Sequence, residues 1–312
     1  MMRILFMGTP DFALFSLRAM VEAGENIIGV ITQPDKPKGR GYALLPPPVK
    51  VYAEQQGIPV YQPNTLRGDE FQAFLEEQAP DLIVVVAYGK ILPQNVLDFP
   101  RFGCINIHGS LLPEYRGAAP MQRAVMDGKT KSGITTILMD AGIDTGDMLL
   151  TGEIDISEAD NFETVHDKLG ACGAEVMLRT LDALKAGTLT RVKQDHSRAT
   201  YAAKIEKADC LIDFSRSAAE VHNQIRGLSP IPLAFTHTAD GKMLKVIASE
   251  VADRTAPHTA VGEVLSLQNG KITVACAIGA VNLLTVLPEG KKRMPAADFI
   301  NGRKVQLGDV LN

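Results

Sequence analysis

The sequence feature that most constrains the fold is Leu82–Ala87, a continuously apolar run rich in valine. Such a run is typical of a parallel strand that is covered on both faces. Segments with the apolar spacing of further strands and helices alternate around it: strands at Arg3–Met7, Ile27–Thr32, Cys104–Ile107 and Ile134–Met139, and helices at Asp11–Ala23, Val49–Gln56, Glu70–Gln78 and Asn161–Ala186. Strands that alternate with helices predict an α/β fold with an open, doubly wound, mostly parallel sheet.

The pattern changes near residue 188, where Thr188–Lys207 becomes polar and irregular. A helix is predicted at Ser217–Arg226. Short apolar runs separated by turns follow at Ala234–Thr238, Leu244–Ala248, Val261–Leu267, Ile272–Ala277 and Val281–Val286. Short strands with such turns predict a small β-barrel, and a length of 312 residues favours two domains. We therefore expect a first domain at residues 1–189, a linker at 190–208 and a second domain at 209–312.

Composition argues against several classes of protein. No apolar stretch is long enough to span a bilayer, and the apolar start at Met1–Met7 is too short for a signal peptide, so we expect a cytoplasmic protein. The four cysteines are scattered without zinc-ligand spacing, so neither a disulfide nor a metal site is expected. A net charge of −4 argues against a generic nucleic-acid binder. Residues 190–312 nevertheless carry more basic than acidic side chains, which permits contact with a polyanion there, with a chance imbalance as the alternative.

The most informative stretch is Cys104–Pro113, in which Asn106 and His108 are separated by one residue on a predicted strand. Both side chains should project from the same face near the carboxyl end of the sheet, where open α/β sheets bind ligands. An amide beside an imidazole can polarise a carbonyl and stabilise the oxyanion that forms when a nucleophile adds to it. A histidine with a purely structural role is the alternative.

A loop rich in glycine and aspartate, Met139–Asp147, directly follows another predicted strand. One of its three carboxylates could lie next to His108 and receive or relay a proton. The segment lacks the terminal glutamate and the flanking helices of an EF-hand, which argues against a calcium site. Capping of turns and helices is the alternative role for these aspartates.

Asn106, His108 and Asp144, with Ser110–Pro113 between them, resemble the signature of the 10-formyltetrahydrofolate-dependent formyltransferases. The resemblance is closest to the branch of that family that formylates methionyl-tRNA. It rests on motifs in both predicted domains: Phe6–Ala13, Gln33–Pro37, Gly39–Gly41, Pro48–Lys50, Val85–Pro93, Leu112–Arg123 and Asn223–Pro230. It implies a Rossmann-like formyltransferase domain followed by a small OB-like β-barrel domain that binds tRNA, with Asn106, His108 and Asp144 as the catalytic residues.

The same resemblance implies a formyl donor, 10-formyltetrahydrofolate, and an acceptor, methionyl initiator tRNA. The folate-binding residues would be Ser110, Leu111, Leu112, Pro113, Ala87, Tyr88, Gly89 and Asp140. The tRNA-binding residues would be Lys36, Lys38 and Arg40 in a proline-flanked loop, and Lys291, Lys292 and Arg293 in the second domain, where basic side chains could meet phosphates. Ordinary turns and solvated charged faces are the alternative interpretations. We expect a monomer that uses no metal and has no membrane partner.

Two other functions stay open at this point. The same donor could serve another acceptor, such as a sugar-nucleotide amine, a purine precursor or water, although the basic loop and the second domain argue against that. A non-catalytic RNA-binding protein built on an OB-like barrel would leave the set of Asn106, His108 and Asp144 unexplained.

Overall fold

The computed structural model describes residues 1–38 and 43–312. The chain forms two compact units. The first comprises Met1–Gly117, Ser132–Ile154 and His166–Tyr201, and the second comprises Ala118–Lys131, Asp155–Val165 and Ala202–Asn312. The segment 190–201, which the sequence assigns to a linker, thus belongs to the first unit. The expected domain boundaries at residues 189 and 209 stay a prediction.

A seven-stranded sheet is the centre of the first unit. The strands of residues 1–202 are β1 (Ile4–Gly8), β2 (Ile27–Ile31), β3 (Lys36–Lys38), β4 (Ala43–Leu45), β5 (Val60–Tyr61), β6 (Leu82–Val86), β7 (Cys104–His108), β8 (Arg116–Gly117), β9 (Lys131–Leu138), β10 (Asp147–Asp155) and β11 (Tyr201–Ala202). The order across the sheet is β10-β9-β7-β6-β1-β2-β5, while β3 pairs with β4 and β8 with β11 outside it.

The strand directions explain where a site can form. Strands β7, β6, β1, β2 and β5 run parallel to one another, and β9 runs antiparallel to β7. The carboxyl ends of the parallel strands therefore meet at one edge. All residues of β1 and β6 are buried, as expected for central strands covered on both faces. Each fully buried Leu, Ile or Val side chain contributes roughly 1.5–3 kcal/mol to stability.

Both units also contain helices. They are α1 (Asp11–Glu22), α2 (Pro48–Gln55), α3 (Asp69–Gln78), α4 (Gln94–Leu97), α5 (Pro120–Met126), α6 (Phe162–Ala186), α7 (Ala218–Gly227) and α8 (Ala296–Asn301), with short 3-10 turns at His196–Arg198 and Lys207–Cys210. Within residues 1–38 and 43–312, none of these helices has the length and apolar character needed to cross a membrane.

The second unit is an antiparallel sheet packed against α7. Its strands are β12 (Ala234–His237), β13 (Met243–Pro257), β14 (Val264–Ser266), β15 (Ile272–Ala275), β16 (Ile278–Pro288) and β17 (Met294–Pro295), in the order β12-β13-β16-β15-β14 with β17 on β16. The register between β13 and β16 shifts at several positions, as it does at β-bulges. The apolar face of α7, with Val221 and Ile225, is buried in the same core as Val246 and Val281.

The predicted fold class is confirmed: a Rossmann-like, mostly parallel domain is followed by a small OB-like β domain. The difference from expectation lies in the segment before residue 202, which is more ordered than a polar linker. Val192 exchanges backbone hydrogen bonds with Met148 at 2.8 and 2.9 Å, and Gln194 is buried. The polar side chains of this segment make contacts inside the first unit. Because the segment has no apolar periodicity, its sequence does not predict them.

Candidate active site

Strand β7 carries the two polar side chains predicted to act together. Asn106 and His108 are alternate residues of the strand, and the backbone of His108 lies opposite Thr135 on β9. His108 is buried, whereas Asn106 is half-buried. Within the described part of the chain, the Asn106 side-chain amide makes no hydrogen bond. Its N–H groups are therefore available to a ligand at the carboxyl end of β7.

Both ring nitrogens of His108 face acceptor oxygens. Nε2 lies 2.9 Å from the backbone carbonyl oxygen of Tyr115, and Nδ1 lies 3.5 Å from Oδ2 of Asp144. Because a carbonyl oxygen can only accept, the Nε2 contact requires the proton on that nitrogen. Asp144 is thus the carboxylate of the loop that lies next to His108, and the structure brings the two predicted residues together.

Asp144 is held in place by its own backbone and by a neighbouring loop. It adopts a left-handed backbone conformation with φ of 53°, and its Oδ2 accepts a hydrogen bond of 2.8 Å from the backbone N–H of Gly117. Left-handed conformations are rare for residues with a Cβ and persist where surrounding contacts enforce them. The segment Tyr115–Gly117 therefore contacts His108 through its first residue and Asp144 through its last.

The turn Ser110–Pro113 leaves β7 in a fixed conformation. The hydroxyl of Thr135 donates to the Ser110 carbonyl at 2.7 Å and accepts from the Leu112 backbone N–H at 3.1 Å. The Ser110 hydroxyl donates to the Glu114 carbonyl at 2.6 Å, and the Leu112–Pro113 peptide bond is cis. Leu112 and Pro113 are buried, while Leu111 is half-buried. Of the residues predicted to bind folate here, Leu111 offers the most accessible side chain.

The second predicted folate segment, Ala87–Gly89, follows β6 at the same edge of the sheet. Ala87 and Gly89 are exposed with positive φ angles of 47° and 85°. Tyr88 is buried, and its carbonyl accepts hydrogen bonds of 3.1 Å from the Thr9 hydroxyl and the Gln33 amide. Its phenolic hydroxyl has no partner among the residues that the structure describes. Burial raises the pKa of Tyr88 to about 12.

Asp140, also predicted to bind folate, stabilises its own loop. Its Oδ1 accepts from the Gly142 backbone N–H at 3.0 Å and from the Thr145 hydroxyl at 2.6 Å. These contacts are those of a turn-capping aspartate. Between Asp140 and Asp144, Ile143 is 63% exposed, so this loop presents an apolar side chain to solvent.

The predicted tRNA-binding residues are placed unevenly. Lys36 is exposed on β3, and Lys38 belongs to the same strand. Arg40 lies outside the residues that the structure describes. Lys291, Lys292 and Arg293 are exposed in the second unit, between β16 and β17. Arg123, another basic side chain, is engaged in an ion pair with Asp209 at 2.9 Å.

Two residues of the site were not predicted from the sequence as partners. Arg116 is only 2% exposed and donates from Nε and Nη2 to Oε1 of Gln194 at 3.1 and 2.6 Å. Gln194 in turn donates to the carbonyls of Asp144 and Gly146, both at 2.8 Å. Arg116 lies in a motif that the sequence singles out, but Gln194 lies in a segment that lacks any periodic signal. In the described ranges there is no group of three or more His, Cys, Asp or Glu side chains that could hold a metal ion.

Two family models together match most of the chain. The family described as "Formyl transferase" matches residues 2–181, and "Formyl transferase, C-terminal domain" matches residues 204–304. The methionyl-tRNA formyltransferase of Citrifermentans bemidjiense is 48% identical over 310 residues, which cover 99% of this chain and 96% of that protein. The methionyl-tRNA formyltransferase of Bacillus subtilis is also 48% identical, over 100% of this chain and 98% of its own. The chain belongs to the methionyl-tRNA formyltransferase family.

Solved structures of other proteins have a fold similar to that of this methionyl-tRNA formyltransferase family member. An N-formyltransferase from Helicobacter canadensis, solved with folinic acid and dTDP-3-aminofucose, has a TM-score of 0.68 at 18% identity and covers 91% of this chain and 99% of that one. HypX from Aquifex aeolicus, solved with tetrahydrofolic acid, has a TM-score of 0.63 at 18% identity over 96% of this chain and 47% of that one. At such identities the likeness shows a shared fold.

The Tyr88 hydroxyl, which has no partner among the described residues, allows a test of its contribution to stability. Replacing Tyr88 by Phe removes a buried group that lacks a hydrogen bond, so the free energy of unfolding should stay the same or rise by up to about 1 kcal/mol. Urea unfolding measures this change, with Tyr201→Phe as a control because Tyr201 is 73% exposed. Destabilisation of Tyr88→Phe by more than about 1 kcal/mol would mean that the hydroxyl has a partner.

Proposed function

We propose that this protein transfers the formyl group of 10-formyltetrahydrofolate to the free amino group of methionyl initiator tRNA, which gives N-formylmethionyl-tRNA for translation initiation. The observation that carries the proposal is His108, fixed between the Tyr115 carbonyl and the Asp144 carboxylate. The Asn106 amide, which makes no hydrogen bond to the described residues, lies on the same strand. Carbonyl addition needs such donors where negative charge develops. The two curated relatives at 48% identity carry the name of this activity.

The carboxyl edge of the sheet suits a folate. Ala87 and Gly89 expose backbone groups that can hydrogen-bond a pterin ring, and the half-buried Leu111 and exposed Ile143 offer apolar surface. A ligand pocket of this kind combines apolar lining with a few placed polar groups. The structures of HypX and of the Helicobacter canadensis enzyme hold a tetrahydrofolate and a folinic acid, which supports a folate donor of the same class.

In the proposed mechanism Asn106 donates from its side-chain amide to the formyl oxygen as negative charge develops there. His108 supplies a second donor. Because its Nε2–H is directed at the Tyr115 carbonyl, donation to the substrate requires exchange of that acceptor for the formyl oxygen. Asp144 orients the ring when Nδ1 also carries a proton, and it accepts the proton that the attacking amine loses, directly or through water. Collapse of the tetrahedral intermediate breaks the bond between the formyl carbon and the folate nitrogen. The proton then passes to that nitrogen, which releases tetrahydrofolate and the formylated amine. No covalent bond to the protein is needed, since a deprotonated amine is already a competent nucleophile.

The acceptor is proposed from charge and from the relatives. Lys36 and Lys38 precede Arg40, whose predicted contact with the acceptor stem stays a prediction from the sequence. Lys291–Arg293 places three cations on the exposed surface of the second unit, where they can contact phosphates. A sugar-nucleotide acceptor, as in the Helicobacter canadensis complex, is the second candidate. We further propose that the protein acts in the cytoplasm and as a monomer.

The reaction is tested with 10-formyltetrahydrofolate and four acceptors offered in parallel: methionyl initiator tRNA, methionyl elongator tRNA, an amino-sugar nucleotide and water. We expect formylation of the initiator tRNA in preference to the others. His108→Ala should lower kcat by about 100-fold or more, because a donor to the developing charge acts in the transition state. The control is His222→Ala, since His222 also has both ring nitrogens bonded, to Ser249 and to the Glu158 carbonyl. An equal decrease of kcat in both variants, or preference for the amino sugar, would contradict the proposal.

The role of the second unit is tested through salt dependence. Changing Lys291–Arg293 to alanine should weaken binding of initiator tRNA, because fewer phosphates are then neutralised by the protein. The slope of log K against log salt should decrease by up to about 1 for each phosphate that no longer meets a cation. The KM for the folate should not change. The control removes three charges elsewhere, at Lys168, Arg179 and Lys185 of α6. An unchanged slope in the first variant, or the same change in both variants, would show that Lys291–Arg293 do not contact the tRNA.

A further inference from the structure

Arg116 is a buried cation held by neutral groups. Its guanidinium donates to Oε1 of Gln194 and, from Nη2, to Nδ1 of His196 at 3.1 Å. No carboxylate pairs with it within the described part of the chain. Taking a charge out of water without a counter-ion costs free energy, and the hydrogen bonds offset that cost in part. Burial of Arg116 therefore does not by itself explain what the side chain contributes.

Gln194 links this cation to the loop that carries Asp144. Its amide oxygen accepts from Arg116, while its amide nitrogen donates to the carbonyls of Asp144 and Gly146. The orientation of the amide is unambiguous, because a guanidinium can only donate and two carbonyls can only accept. Gln194 thus fixes the backbone on both sides of Thr145, at the point where Asp144 takes its left-handed conformation.

The residues on either side of Arg116 contact the predicted catalytic pair, His108 and Asp144. The N–H of Gly117, which follows Arg116, donates to the Asp144 carboxylate. The carbonyl of Tyr115, which precedes Arg116, accepts a hydrogen bond from His108. The same segment is anchored by Thr200, which accepts hydrogen bonds from the backbone N–H groups of Tyr115 and Arg116 at 2.8 and 2.9 Å. The loop that carries Asp144 is therefore held at two points, by the Arg116 side chain through Gln194 and by the backbone N–H of Gly117.

We propose that Gln194, oriented by Arg116, is a positioning residue that holds Asp144 against Nδ1 of His108. The inference rests on the proposed formyl transfer and assigns a role in it to the segment that the sequence predicts as a linker. Gln194 does not contact the reacting atoms. Its effect is to keep the carboxylate at the distance and angle from which it can orient the imidazole and accept a proton.

Two substitutions separate this role from simple anchoring of Arg116. Gln194→Ala removes both functions of the amide. Gln194→Glu keeps an acceptor for Arg116, and adds a counter-charge, but turns an oxygen toward the carbonyls of Asp144 and Gly146. If Gln194 positions Asp144, kcat should fall by roughly 10- to 100-fold in both variants, with KM for methionyl-tRNA changed by less than about 2-fold. If Gln194 only anchors Arg116, Gln194→Glu should retain wild-type kcat, and the proposal is overturned.

The chain contains a matched control in Gln224, whose amide nitrogen donates to the carbonyls of Asp209 and Leu211 at 2.9 and 2.8 Å within the second unit. Gln224→Ala removes the same pair of donated hydrogen bonds, but Oε1 of Gln224 is buried with no partner among the described residues, so no cation loses its acceptor. It should therefore lower the melting temperature by no more than Gln194→Ala does, and keep kcat within about 2-fold of wild type. An equal decrease of kcat in both alanine variants would show a general effect of stability and overturn the positioning role.

A crystal structure of Gln194→Ala tests the geometry without any acceptor. We expect the separation between Nδ1 of His108 and Oδ2 of Asp144 to increase from 3.5 Å to beyond about 4 Å. Retention of the wild-type separation would overturn the inference whatever the reaction is. Failure of the wild-type protein to formylate methionyl-tRNA would instead refute the proposed function and leave this structural result to stand on its own.

Discussion

The imidazole of His108 lies between two acceptors, a backbone carbonyl and a carboxylate, and this arrangement determines what the surrounding elements must do. One acceptor, the Tyr115 carbonyl, comes from the turn that leaves β7. The other, Asp144, comes from the loop after β9. Two loops from different parts of the chain must therefore keep a fixed position relative to one another, and the contacts from Gly117 and Gln194 to Asp144 provide that restraint.

The sheet supplies the remaining geometry. Strands β6 and β7 are parallel neighbours, so the predicted folate segments Ala87–Gly89 and Ser110–Pro113 both leave the sheet at its carboxyl edge. Strand β6 is buried along its whole length, and Thr135 on β9 fixes the backbone of the second segment through its hydroxyl. Rigid strands with loops at one edge are a common way to place reactive side chains. Here the strands fix the positions of the loops, and the loops supply the hydrogen-bond acceptors and donors.

Much of this arrangement could be predicted because it is local in sequence. The apolar run at Leu82–Ala87 predicted a buried parallel strand, and the Asn-x-His spacing placed Asn106 and His108 on one face of a strand. The contacts of Gln194 could not be predicted, because a buried glutamine among polar neighbours has no periodic signal and its partner Asp144 lies 50 residues earlier in the chain. For the same reason Thr188–Lys207 resembled a linker. Asp140 was predicted from resemblance, whereas its observed hydrogen bonds lie within its own loop.

The segment Tyr115–Gly117 fixes the His108 ring with a proton on Nε2 and with Nδ1 toward Asp144. Nuclear magnetic resonance of the protein carrying isotope-labelled histidine measures which ring nitrogen bears a proton. We expect Nε2 of His108 to carry a proton, since only a donor can bond the Tyr115 carbonyl. A neutral ring with its single proton on Nδ1 would contradict it, because Nε2 would then present a lone pair to the carbonyl oxygen.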